Sequence, residues 1–142
     1  MRIVFFLIFF SSVQQDDKAQ FVAMADKWVK DHGNGETATE RQKQVAVKII
    51  RASFHVGVPP KEALRRSWEE SRWTMTARND NGPGRGVDRG PMQVNDRWTP
   101  EVRQQTPEQS IYTGLEILKK YYNSCGKRWT CAHRAYRTGV VQ

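Results

Sequence analysis

Residues 69–95 read EESRWTMTARNDNGPGRGVDRGPMQVN, and the division of this stretch decides what kind of protein the chain makes. It opens on two carboxylates at the end of an amphipathic segment. It then runs into Asn79-Asp80-Asn81-Gly82-Pro83-Gly84, a cluster of turn formers, and closes on Gly90-Pro91-Met92-Gln93-Val94-Asn95. Alternating hydrophobicity is nearly absent between residues 74 and 99, so this part reads as a long irregular excursion holding at most short extended segments. On both sides of it the pattern is helical.

Upstream, Phe21, Met24, Ala25, Trp28 and Val29 recur at helical spacing until Gly33-Asn34-Gly35 ends them. A second helix is predicted from Thr39-Glu40 to Gly57, carrying Val45, Ala46, Ile49, Ile50 and Phe54 inward. Val58-Pro59-Pro60 breaks the chain, and Pro60 suits the first turn of a third helix through KEALRRSWEES. That helix is expected to bury Ala63, Leu64 and Trp68 and to leave Arg65, Arg66 and Glu69 outside. Downstream, Thr106, Pro107 and Gln109 supply a cap, a first-turn proline and a capping box. They precede the apolar stripe Ile111, Leu115, Leu118 and Tyr122, and a last short helix is predicted from Thr130 to Tyr136. The expected fold is mainly α, α+β at most: a helical globule with one long irregular loop facing outwards.

A chain of 142 residues has room for one hydrophobic core and not for two. Its formal charge of +8 points to a polyanionic partner, which nucleic acid, anionic lipid and anionic cell wall would all satisfy. Nucleic acid is disfavoured, because Lys and Arg are scattered and no nucleic-acid-binding motif stands out. At the start, Arg2 precedes an apolar run from Ile3 to Phe10, too short for a membrane span of about 17–25 residues. The run suits the centre of a secretory signal peptide, although no Ala-x-Ala cleavage site follows; the alternative is an N-terminal strand or an apolar helix start. We therefore expect a leader over residues 1–15, an exported monomeric domain over 16–142, and no stable membrane span. Cys125 and Cys131, the only cysteines, are expected to pair in an oxidising compartment. Zinc is the poorer reading, since His133 is nearby but no Cys-x-x-Cys accompanies it. No metal and no cofactor are expected.

Among the residues able to do chemistry, Glu70 is the sharpest candidate. Trp68 and Trp73 could wall it from water and raise its carboxyl pKa, as a general acid near neutral pH requires. The bland alternative is a surface glutamate paired with Arg66 one helical turn back; Glu69 is expected to be that bland case. After the tight Gly90-Pro91-Met92 backbone, Gln93 and Asn95 could project from one side of an extended segment and read sugar hydroxyls and acetamides. Equally, they could simply tie the loop to itself. Trp98, Trp129 and Tyr136 could stack on sugar rings, or could be core. Asp80 and Asp88 could provide a second carboxylate, or pair with Arg78, Arg85 and Arg89.

The order of these pieces resembles the catalytic domain of the lytic transglycosylases. The matching pieces are Val56-Gly57-Val58-Pro59-Pro60, Glu70-Ser71, Gly90-Pro91-Met92-Gln93-Val94-Asn95, Ser110-Ile111-x-x-Gly114-x-x-x-Leu118 and Ala135-Tyr136-Arg137-Thr138-Gly139, spread over residues 45–139. Arg137 and Ser110 stand where that family usually has asparagine, and Pro91 where a larger apolar residue is common. The resemblance implies a lysozyme-like fold and cleavage of peptidoglycan glycan strands, with Glu70 as the single catalytic acid. It further implies that Ser71 helps hold Glu70, that Met92, Gln93, Asn95 and Tyr136 line the sugar site, and that a secretion or conjugation apparatus is a candidate partner. A lysozyme-type hydrolase and a non-catalytic cationic wall binder are the other readings.

Overall fold

The computed structural model describes the backbone of residues 2–141 and the side chains of residues 17–141. The leader expected over residues 1–15 lies outside the residues whose side chains are described. Five helices, α1 (Arg2–His32), α2 (Glu40–Val56), α3 (Pro60–Ser71), α4 (Pro107–Ser124) and α5 (Trp129–Thr138), account for most of the chain. Between α3 and α4 lie three short strands, β1 (Arg78–Asp80), β2 (Val87–Arg89) and β3 (Val94–Asn95), and a 3-10 turn over Pro100–Gln104. The fold is thus mainly α, the lysozyme-like globule the resemblance implies. Among the described residues, no helix is long and apolar enough to cross a membrane.

Local chemistry explains where the helices begin and end. Thr39 and Gln42 cap α2 reciprocally, and Thr106 and Gln109 do the same for α4, so each pair satisfies otherwise orphaned backbone N–H groups. Helix α2 stops at Gly57, whose φ of 82° is cheap only for glycine. Helix α3 stops less comfortably. Both Arg72 and Trp73 adopt positive φ, a conformation that disfavours side chains of their kind.

The core packs α1, α2, α3 and α4 around Ala25, Ile49, Ile50, Leu64, Ile111, Leu115 and Leu118, all essentially without solvent exposure. Trp68 and Trp73 meet edge to face at 4.8 Å between ring centroids, and Trp28 of α1 packs against both. These tryptophans therefore belong to the core. Phe54 is corrected: it is 60% exposed and stacks on Phe21 instead of turning inward. Tyr122 is half-buried against Trp129, with ring centroids 4.0 Å apart.

The excursion carries more order than its hydrophobic pattern announces. β1, β2 and β3 form an antiparallel sheet, with Asn79 opposite Asp88 and Asp88 opposite Asn95. Asp96 holds it together from within. Its nearly buried carboxylate accepts from the Val87 amide at 2.9 Å and from Arg89 Nε at 3.0 Å, and Arg103 Nε lies 3.4 Å away. Arg89 is thereby engaged with Asp96, not with Asp80 or Asp88 as the sequence suggested. The Cys125–Cys131 disulfide joins the end of α4 to the first turn of α5.

Candidate active site

Gly90 and Gly114 fix the floor of the site. Gly90 has φ 76°, and a Cβ there would come within 2.2 Å of Ser110 Oγ on α4. A Cβ at Gly114, one turn further along α4, would meet Met92 Cβ at 2.3 Å and Tyr136 Oη at 3.1 Å. The two glycines let the 90–95 loop lie directly on α4. Ser71, at the end of α3, donates from Oγ to the Pro91 carbonyl at 2.8 Å and accepts from the Thr74 amide. Ser71 thus ties the loop to α3; the structure shows it holding Pro91 where the resemblance implied Glu70.

Met92 is fully buried in this wedge, so its side chain packs the core and does not line a groove. Its role at the site runs through its backbone: the Met92 carbonyl accepts a 2.6 Å hydrogen bond from Tyr136 Oη. Gln93 adopts φ 50°, and its amide donates to Gly90 O at 3.0 Å. Asn95 donates to Arg85 O and to Asp88 Oδ1 and accepts from the Arg97 amide. The expectation that Gln93 and Asn95 project together from one extended segment is therefore not met. Positive φ at Gln93 turns the chain between them, and the Asn95 amide is spent on the loop itself.

Glu70 sits where α3 faces α5 and the sheet. Its side chain is 20% exposed, and its Oε1 lies 3.1 Å from Arg66 Nε. Arg66, expected outside, is buried. Nη1 donates to the His133 carbonyl of α5 at 2.9 Å, Nη2 to Glu69 Oε2 at 2.9 Å, and the guanidinium lies 5.4 Å from the centre of the Tyr136 ring. A hydrogen-bonded cation stacked on an aromatic ring can be sheltered this way, whereas an unpaired one could not.

Burial pushes the Glu70 carboxyl above its ordinary pKa. Arg66 opposes that shift, Asp88 and Glu69 reinforce it, and Arg137 opposes it more weakly. Burial, and then the Glu70 charge, likewise push the Tyr136 phenol upward, so it stays protonated and a hydrogen-bond donor. The site therefore holds one shielded carboxyl biased towards its protonated form beside a neutral phenol. Asp88, which acts on Glu70 together with Glu69, is occupied by Asn95, while Asp80 accepts from the Gly82 amide in the exposed β1–β2 turn.

Of the other aromatics, Trp98 is 75% exposed with Arg97 stacked over it, and Trp129 is half-buried against Tyr122. A concavity of about 860 Å³ lies between the β1–β2 turn, with Asp80, and the segment after β3, with Asp96, Arg97 and Arg103, and does not include Glu70. Among the described residues, no three His, Cys, Asp or Glu side chains converge as a metal site. Asp96 escaped the sequence reading, whereas Arg66 entered it as an outward-facing residue and as the partner of Glu70 one helical turn back, a pairing the structure shows. The only signal for Arg66 was its helical spacing to Glu69 and Glu70.

Residues 48–142 match the family described as the transglycosylase SLT domain. Neither the curated proteins nor the solved structures yielded a match to this chain.

Proposed function

Because this chain belongs to the transglycosylase SLT domain family, we propose that it cleaves the bond between N-acetylmuramic acid and N-acetylglucosamine, leaving 1,6-anhydro-muramyl ends. Lytic-transglycosylase-type action on peptidoglycan, and with it an extracytoplasmic place of work, comes with the family. The particular reaction, its residues and export behind a leader are our reading. The observation that carries it is Glu70: a shielded carboxyl whose burial outweighs an adjacent arginine and favours the acid form.

In this reading, protonated Glu70 donates to the glycosidic oxygen as the bond to the anomeric carbon breaks. The substrate's own acetamido group assists departure, so no second carboxylate takes part. Glu70, now ionised, accepts the proton of the 6-hydroxyl as that oxygen closes on the anomeric carbon, which returns the carboxyl to its starting state. Arg66 stabilises the ionised intermediate form across 3.1 Å. Tyr136 and the Gln93 turn shape the sugar site, and the basic surface attracts the anionic wall. Cleavage of this kind opens the wall locally, as passage of a secretion or conjugation apparatus would require.

Mass spectrometry of fragments released from purified sacculi by the wild type and by Glu70→Gln tests the reading. Anhydro-muramyl ends that vanish in the variant are expected. Reducing ends would make the protein a hydrolase and direct attention to Asp88, where a second carboxylate would be needed. Binding without release, unchanged in the variant, would make it a wall binder.

A further inference from the structure

Residues 66, 69 and 70 share one face of α3, since helical neighbours three and four apart lie side by side. Arg66 is only 2% exposed and meets both acids, with Nη2 2.9 Å from Glu69 Oε2 and Nε 3.1 Å from Glu70 Oε1. The two contacts are unequal. Nη2 makes a hydrogen bond to Glu69, whereas Nε has no aligned acceptor among the described residues. The guanidinium cannot swing towards Glu70, because Nη1 is held by the His133 carbonyl and its face lies against Tyr136. Glu69 is itself braced by Arg65 at 3.1 Å and lies towards solvent.

This is an unusual neighbourhood for a group meant to donate a proton. A single buried arginine aligned on Glu70 would hold it ionised. Here the best-aligned hydrogen bond goes to the neighbouring glutamate instead. We propose that Arg66 and Glu69 form a charge-sharing pair that positions Glu70 and governs how readily it keeps its proton. Glu69 draws the guanidinium's charge away from the acid, and Arg66 keeps the Glu70 carboxyl turned towards α5. Both act as positioning residues, and the inference rests on the reading of Glu70 as the catalytic acid.

The other charged or titratable groups that act on Glu70 are Asp88 on β2 and Tyr136 and Arg137 on α5. None of them is a carboxylate partner of Arg66, so among the described residues removing Glu69 leaves Glu70 as the only acid within ion-pair reach of the guanidinium. A purely structural Arg66, bridging α3 to α5, would make the protein less stable when replaced. It would not make Glu69 control the titration of Glu70 through the guanidinium.

The test is an NMR titration of the 13C-labelled Glu70 carboxyl in the full chain, comparing wild type, Glu69→Gln, Arg66→Gln and the double variant. Glu69→Gln is expected to move the Glu70 midpoint to lower pH, and Arg66→Gln to higher pH. The Glu69→Gln effect is expected to shrink when Arg66 is absent. A midpoint that stays or rises in Glu69→Gln overturns the proposal, as does an equal Glu69→Gln effect with and without Arg66. Should Arg66→Gln not fold, the exposed Glu69→Gln variant still decides the direction. The alkaline limb of kcat/KM on sacculi is expected to follow the same shift. The titration needs no turnover, so an inactive wild type would remove the enzymatic reading while leaving the charge-sharing pair separately decided.

Discussion

Tyr136 Oη and the Met92 carbonyl oxygen lie 2.6 Å apart, and this hydrogen bond joins α5 to the loop between β2 and β3. It links residues 44 positions apart in sequence, and it forms over Gly114, where a methyl group would collide with Met92. Tyr136 is thus held from one side by Met92 and from the other by the Arg66 guanidinium.

Replacing Gly114 by Ala forces its new Cβ into Met92 and towards Tyr136 Oη. Overpacking of this kind costs about 1–3 kcal/mol. Chemical denaturation should show that loss, and activity on sacculi should fall further than stability does, because the displaced groups belong to the site.

Tyr136→Phe keeps the ring over Arg66 and removes only the hydroxyl. The loss of one hydrogen bond is worth about 0.5–1.5 kcal/mol of stability. Faster amide hydrogen exchange in residues 90–95 would locate the effect in the loop; exchange unchanged there would mean the bond does not restrain it.

Glu70→Gln should lower kcat on sacculi by roughly 10²–10⁴-fold, the usual contribution of a general acid–base. It should also stabilise the fold at neutral pH. A carboxyl whose folded pKa is raised binds protons more tightly in the folded state, so wild-type stability declines as pH rises through that value. Thermal melts of the two proteins should diverge near pH 7, with Glu70→Gln higher. They should converge below the ordinary glutamate pKa, where both carry a neutral side chain.

Asp96 behaves with the opposite sign. The Val87 amide, Arg89 and Arg103 hold its carboxyl below the ordinary aspartate range. Its stabilising contribution is therefore present above the unfolded value and lost as pH falls through the folded one. Asp96→Asn should loosen the sheet at neutral pH, seen as faster exchange at Val87, and the difference from wild type should fade in strong acid.

Opening the Cys125–Cys131 bridge by Cys→Ser replacement at both positions should cost about 2 kcal/mol, as chain-entropy arguments give for so short a loop. The lost order should appear at the α4–α5 junction and, through α5, at Tyr136. A melting temperature unchanged by reductant would show that packing of α4 on α5 suffices without the bridge.

Much of this was legible in the chain. The start of α4 needed only Thr106, Pro107 and Gln109, because capping is settled within one turn of backbone. The stop at Gly57, the cysteine pair and the exposed position of the long loop are similarly local. The three-stranded sheet was not foreseen, because its strands are two or three residues long and are held by Asp96 instead of by an alternating apolar face. For the site, the order Glu70-Ser71, then Gly90 to Asn95, then Tyr136 marked segments that the fold brings together.

What each residue does within those segments was decided elsewhere. Sequence spacing put Arg66 on the helix surface, yet it is buried, because α5 packs on that face and offers the His133 carbonyl 67 positions away. Met92 and Asn95 were read as sugar contacts, but the close approach of α4 at Gly114 buries one, and the cross-strand pairing with Asp88 occupies the other. Helix caps, turns and periodic stripes depend on neighbours along the chain, and so the sequence alone determined the helices and their order. The charge environment of Glu70 depends on burial and on partners from three separate elements, and only the packed tertiary structure brings those within reach.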